Sequence, residues 1–162
     1  MLKYKLTEKT ITVFGVILHQ IQALKDFGDV KAGDLGGYIE KVENLEQVSG
    51  KAWVYGEAQV YGEAQVSGKA QVSGKARVYG EARVSLSMII IKNTDLITIN
   101  GIRFTLNVSL TGVIIGCKQY KDLADFKSKY KQDGADNGYT KLELNYLYVT
   151  IKNSLKLLRS LK

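Results

Sequence analysis

With 162 residues, 45% of them hydrophobic, the chain is long enough for one compact unit with a real core. Its single cysteine, Cys117, excludes an intramolecular disulfide and fits a reducing setting. No apolar run approaches the about 20 residues of a spanning helix, and no leader pattern is present, so the expectation is a cytoplasmic protein with no membrane span. The formal net charge of +7 favours anionic partners, and residues 118–162 hold most of the excess, with ten basic and five acidic side chains.

Residues 1–41 read as a β-rich cap. The β-branched, apolar runs Thr10 to Val13 and Val16 to Ala23 flank Phe14-Gly15, which predicts a hairpin. Asp34-Leu35-Gly36-Gly37 reads as a turn that delivers Tyr38-Ile39 to the repeats. Val42 and Val48 fall in the repeat phase, while Glu40 and Glu46 stand where alanine belongs, so the first turn of the repeats should be irregular. The cap would cover an end that otherwise exposes unpaired strand edges.

From Val48 to Arg83 one hexad is written six times, VSGKAW VYGEAQ VYGEAQ VSGKAQ VSGKAR VYGEAR. A period of six fits neither an α-helix nor a heptad coil, and it suits a solenoid of short strands and corners. Strand alternation would point Ala58 and Val60 inward and Gln59 outward, and Gly62 frees the backbone for a corner.

These residues resemble the hexapeptide repeats of left-handed parallel β-helices, where three hexads make one triangular coil. The run GDVKAGDLGGYIEKVENLEQ, the repeats and VIIGCKQYKDLADF together resemble phage and prophage hexapeptide-repeat proteins loosely labelled acyltransferase-like or polymer-forming. The resemblance implies a mainly β fold, with a β cap at 1–41, left-handed β-helix coils at 42–90 and an α+β module at 91–162. It also implies a homo-oligomer, with a trimer as the first expectation, in the cytoplasm of the host cell.

Stacking every 18 residues would align Lys41/Gln59/Arg77, Gln47/Gln65/Arg83 and Trp53/Gln71/Ile89, with Tyr61 near Tyr79 and Lys51 near Lys69 at corners. Arg77, Arg83, Tyr61, Tyr79, Lys69 and Lys75 are therefore the candidate ligand-binding residues, because guanidinium and aromatic groups together hold planar anions. An outward Trp53, Ile89 and the stripe Leu144, Leu147, Ile151, Leu155 and Leu158 are the candidate oligomer interface.

After Val84 the glycine and alanine positions are lost. Asn100-Gly101 predicts a hairpin between Leu96–Ile99 and 102–106, followed by a strand from Val113 to Gly116 and a helix from Gln119 to Lys131 closed by Gly134. Cys117 would be buried on that strand. The stretch from Lys141 to Lys162 has the spacing of an amphipathic helix that packs on the cap or on a symmetry mate.

The catalytic inventory is thin. Hexapeptide acyltransferases, which the coils resemble, use a histidine base, and the single histidine, His19, lies in the cap. Cysteine–histidine metal clusters, P-loops, dinucleotide fingerprints and nucleophile elbows are absent from the sequence, and no cofactor or metal is expected. The sequence thus favours a non-enzymatic binding protein that sequesters an anionic, nucleotide-like ligand or blocks a host defence protein, with nucleic acid a less favoured partner. The resemblance adds phage counter-defence as its setting. The alternatives are an acyltransferase-like enzyme using His19 at a subunit interface, and a structural, self-assembling protein.

Overall fold

The computed structural model describes residues 2–85, 88–90, 96–99 and 105–161, which fall into two compact units, Met1–Asp95 and Leu96–Lys162. The protein is mainly β, with two helices and several sheets, and no helix among the described residues is long and apolar enough to cross a membrane.

In the first unit, strands β1 (Tyr4–Val13) and β2 (Val16–Ala23) form an antiparallel hairpin. Its two turn residues, Phe14 and Gly15, have φ of 50° and 83°, as a tight mirror-image turn requires. Strand β3 (Leu35–Ile39) pairs antiparallel with β2. Gly36-Gly37 is therefore strand rather than turn. A Cβ on Gly36 would lie 2.5 Å from Ile21, and one on Gly37 would lie 2.5 Å from the Ala58 carbonyl. The two glycines serve close approach between layers.

The hexads then supply two-residue strands: β4 (Trp53–Val54), β5 (Gln59–Val60), β6 (Gln65–Val66), β7 (Gln71–Val72), β8 (Arg77–Val78), β9 (Arg83–Val84) and β10 (Ile89–Ile90). Strands β4, β5, β6 and β7 each pair in parallel with the strand eighteen residues on, aligning Gln59 with Arg77, Gln65 with Arg83, and Trp53 with Gln71 and then Ile89. The strands distribute over three sheets, β3-β5-β8 extended by the cap hairpin, β4-β7-β10, and β6-β9. Ala58, Val60, Ala64, Val66, Ala70 and Val72 are buried on the inner side, which leaves the alternating Gln and Arg outward.

The first tier departs from the expected phase. Ile39 pairs with Val60 and Leu45 bridges Val66, so the inward residues lie three positions before Val42 and Val48. Val48 is 81% exposed. Consequently Tyr38, not Lys41, aligns with Gln59, while Lys41 pairs with Glu63 at 2.6 Å. Gln47 leaves its expected column to clamp β1: its Oε1 accepts from the Lys3 N–H at 2.8 Å and its Nε2 donates to the Tyr4 carbonyl at 2.9 Å. The carboxylates of Glu40 and Glu46 accept from the corner N–H groups of Gly62 and Gly68 at 2.6 and 2.7 Å. Buried Asn44 donates to the carbonyls of Gly62 and Ala64. Polar side chains thus satisfy backbone groups that have no regular strand above them.

In the second unit, β11 (Leu96–Ile99), β12 (Leu106–Ser109), β13 (Gly112–Ile115) and β14 (Lys118–Tyr120) form an antiparallel sheet in that order. Asn100-Gly101 and most of the expected 102–106 strand lie outside the described residues. Residues 118–120 are strand rather than helix, because the chain turns at Gly116-Cys117 and Tyr120 returns opposite Val113 to pack edge-on against Phe126. Helix α1 (Leu123–Asp136) starts at Asp122, whose carboxylate accepts from the Asp125 N–H at 2.8 Å. Gly134 lies inside α1, beneath Leu144, and does not end it. Helix α2 (Lys141–Ser160) opens with a reciprocal Thr140–Glu143 cap. Its Leu147, Ile151, Leu155 and Leu158 pack on Leu106, Val108, Val113 and Phe126 of their own unit.

Candidate functional site

The six predicted ligand-binding residues do not converge. Arg77 faces out from β8 and Arg83 from β9, in different sheets. Lys69 and Lys75 belong to the two corners that follow β6 and β7, whereas Tyr61 and Tyr79 share the corner that follows β5 and β8. The Tyr61 and Tyr79 rings lie parallel, 5.3 Å apart at 11°. That separation matches the spacing of adjacent tiers, about 4.8 Å, and leaves no gap for a planar ring between them. Burial and neighbouring Tyr79 push the Tyr61 hydroxyl pKa up, with Arg77 opposing. The Arg77 guanidinium lies 5.8 Å from the Phe14 ring centroid at the cap hairpin's tip.

The predicted interface residues are mostly used within their own units. Trp53 is only 1% exposed, packed edge-on against Tyr4 and Phe27, because the loop after β2 folds over it. Leu147, Ile151, Leu155 and Leu158 form the second unit's core, and Leu144 covers Gly134. Ile89 remains at the surface, 47% exposed. Cys117 is exposed in the turn between β13 and β14 rather than buried on a strand. His19 is held in β2 with Nδ1 3.1 Å from the Thr7 carbonyl oxygen. Among the described residues, no three His, Cys, Asp or Glu side chains are grouped to hold a metal ion.

A hollow of about 260 Å³ opens beside the β4-β7-β10 sheet, lined by Gly28, Asp29, Lys51, Tyr55, Lys69, Gln71 and Ile89. Gln71 and Ile89 line it from β7 and β10, the strands that continue the Trp53 column. Lys51 and Lys69 stand at one corner on successive tiers, where the Lys51 N–H donates to the Gly68 carbonyl at 2.6 Å. Tyr55 follows β4 at the opposite corner. Burial, then Asp29 and Asp34, raise the Tyr55 hydroxyl pKa, so the Asp29 carboxylate sits within electrostatic reach of that ring. The side chains of Asp29, Lys51, Lys69 and Gln71 make no hydrogen bond or ion pair among the described residues.

Of these residues only Lys69 belongs to the predicted ligand-binding set. The Lys51–Lys69 alignment was legible from the 18-residue spacing, and Ile89 and Gln71 shared a predicted column. Asp29 carried no sequence signal, because only the fold brings its loop to the edge of this face. The chain matches no protein-family model and no curated protein.

Proposed function

We propose that the repeats form a short left-handed parallel β-helix of the hexapeptide kind and that the protein binds a small anion in the Lys51–Lys69 hollow without transforming it. The β-helix reading is supported by parallel pairing at intervals of eighteen residues across three sheets. The binding reading is carried by one observation: two ammonium groups on successive tiers, with no partner among the described residues, line the same concavity as an amide that is likewise unbonded among them and an apolar side chain. An anion that reaches two lysines on adjacent tiers accepts charge-assisted hydrogen bonds from both and offsets their like charge. Because the hollow is open to water, affinity for a simple anion should be modest, of millimolar order. In the phage setting that the resemblance implies, capture without turnover would sequester a host signal.

The test is a titration of isotope-labelled protein with propyl phosphate. Amide shifts should concentrate at Lys51, Lys69 and Gln71, disappear in Lys51→Ala/Lys69→Ala, and leave the phosphate ester chemically intact. Shifts spread over the whole basic surface, or hydrolysis of the ester, would defeat the reading. A second reading, blocking of a partner protein, is favoured by Phe14 and Tyr79, which are 84% and 57% exposed in the region of Arg77. Exposed aromatic and arginine side chains are the composition of protein contact sites, and Phe14→Ser with Tyr79→Ser should abolish such capture without affecting phosphate shifts.

A further inference from the structure

The same hollow carries charge of both signs, and the two do not pair with each other. Lys51 and Lys69 occupy one corner, while Tyr55 lies beyond β4 at the other. Four residue-to-residue steps lead from Lys51 to Tyr55, at most about 13 Å of extended backbone. Asp29 arrives from the loop that covers Trp53 with Phe27. The same loop runs close to the stem of Lys51, since a Cβ on Gly28 would lie 3.5 Å from Lys51 Cβ and Cδ. Elsewhere in this unit comparable groups do find each other: Lys31 pairs with Asp26 at 3.0 Å and Lys41 with Glu63 at 2.6 Å. In the hollow, Asp29 makes no ion pair with either lysine although all three line it.

Resting on the anion-binding reading above, we infer that the hollow selects a bipolar small molecule, with a phosphate or carboxylate on Lys51 and Lys69 and an ammonium or other strong donor on Asp29. A purely anionic ligand would satisfy the lysines but meet the uncompensated Asp29 carboxylate. A purely cationic one would meet the reverse. Gln71, with both a donor and an acceptor on its amide, accommodates the polar middle of either, and Ile89 offers apolar contact to a short methylene linker. The arrangement therefore discriminates as much by repulsion as by attraction.

The experiment compares aminopropyl phosphate with propyl phosphate, two probes that differ by the terminal ammonium alone, in wild type and in Asp29→Asn. Asp29 is exposed and its side chain makes no hydrogen bond or ion pair among the described residues, so the variant keeps the fold. Wild type should prefer aminopropyl phosphate by about two- to fivefold, the size of a solvent-exposed ion pair. Asp29→Asn should bind both probes equally, and Asp29→Lys should reverse the order. Equal binding of both probes by wild type would overturn the bipolar assignment while leaving anion binding intact. A preference that survives in Asp29→Asn would remove Asp29 from the site. Failure of both probes to bind would defeat the anion reading itself, and this inference with it.

Discussion

Lys3 shows how one residue can tie the cap to the repeats at an electrostatic cost. Its side chain is buried, its ammonium donates to the Ala52 carbonyl at 3.1 Å and lies 5.0 Å from the Phe27 ring centroid. Burial lowers its pKa from 10.5 to about 8, against the carboxylate of Glu46, which raises it. The folded value lies below the unfolded one, so between these pH values the unfolded chain binds more protons and stability rises with pH. Tyr4 and Tyr120 act in the opposite sense, since burial raises their pKa above the ordinary 10 and unfolding releases their protons first. The urea midpoint should therefore rise from about pH 8 towards pH 10 and fall beyond it. Lys3→Met should abolish the rise and keep the fall. A midpoint that still climbed in that variant would assign the effect to another group.

At the scale of elements, α1 and α2 are matched at a single glycine. Replacing a helical glycine by alanine ordinarily stabilises by about 1 kcal/mol. Gly134 is the exception, because a Cβ there would collide with the Leu144 side chain of α2. Gly134→Ala should therefore destabilise the second unit, by up to about 2 kcal/mol net of the propensity gain. Leu144→Ala in the same chain should recover part of the loss, and thermal unfolding followed by circular dichroism reads both. Greater stability in Gly134→Ala alone would mean that α2 shifts freely on α1. The apolar spacing of α2 was legible in sequence because a stripe at intervals of three and four residues has one regular solution. The start of α1 was not, because residues 118–120 pair with β13 and tertiary pairing overrides a local pattern that reads equally well as helix.

For the molecule as a whole, the repeat interior sets the tightest limit on change. Ala64 is fully buried where Asn44 reaches its carbonyl, whereas neighbouring Gln65 faces solvent. Ala64→Leu should cost roughly 1–3 kcal/mol by overpacking, and Gln65→Leu should cost little. Equal losses in urea unfolding would argue against strict inward–outward alternation. Both substitutions belong to the first unit, and Ile151→Asp, which buries a charge in the core of the second, should lower the stability of Leu96–Lys162.

Sequence alone determined the repeat strands, their eighteen-residue alignment and the stacking of Tyr61 on Tyr79, because a strictly repeated hexad has one way to bury its alanines and valines. Tertiary structure decided the rest. The three-residue phase change at Ile39 and Leu45 arises where no earlier tier dictates register, and polar side chains such as Glu40, Asn44 and Glu46 take over the pairing. Trp53 turned inward because a loop distant in sequence folds over it. The candidate site differs from the expected one for the same reason: periodicity places Lys51 beside Lys69, but the concavity and its Asp29 exist only where that loop meets the face of β7 and β10.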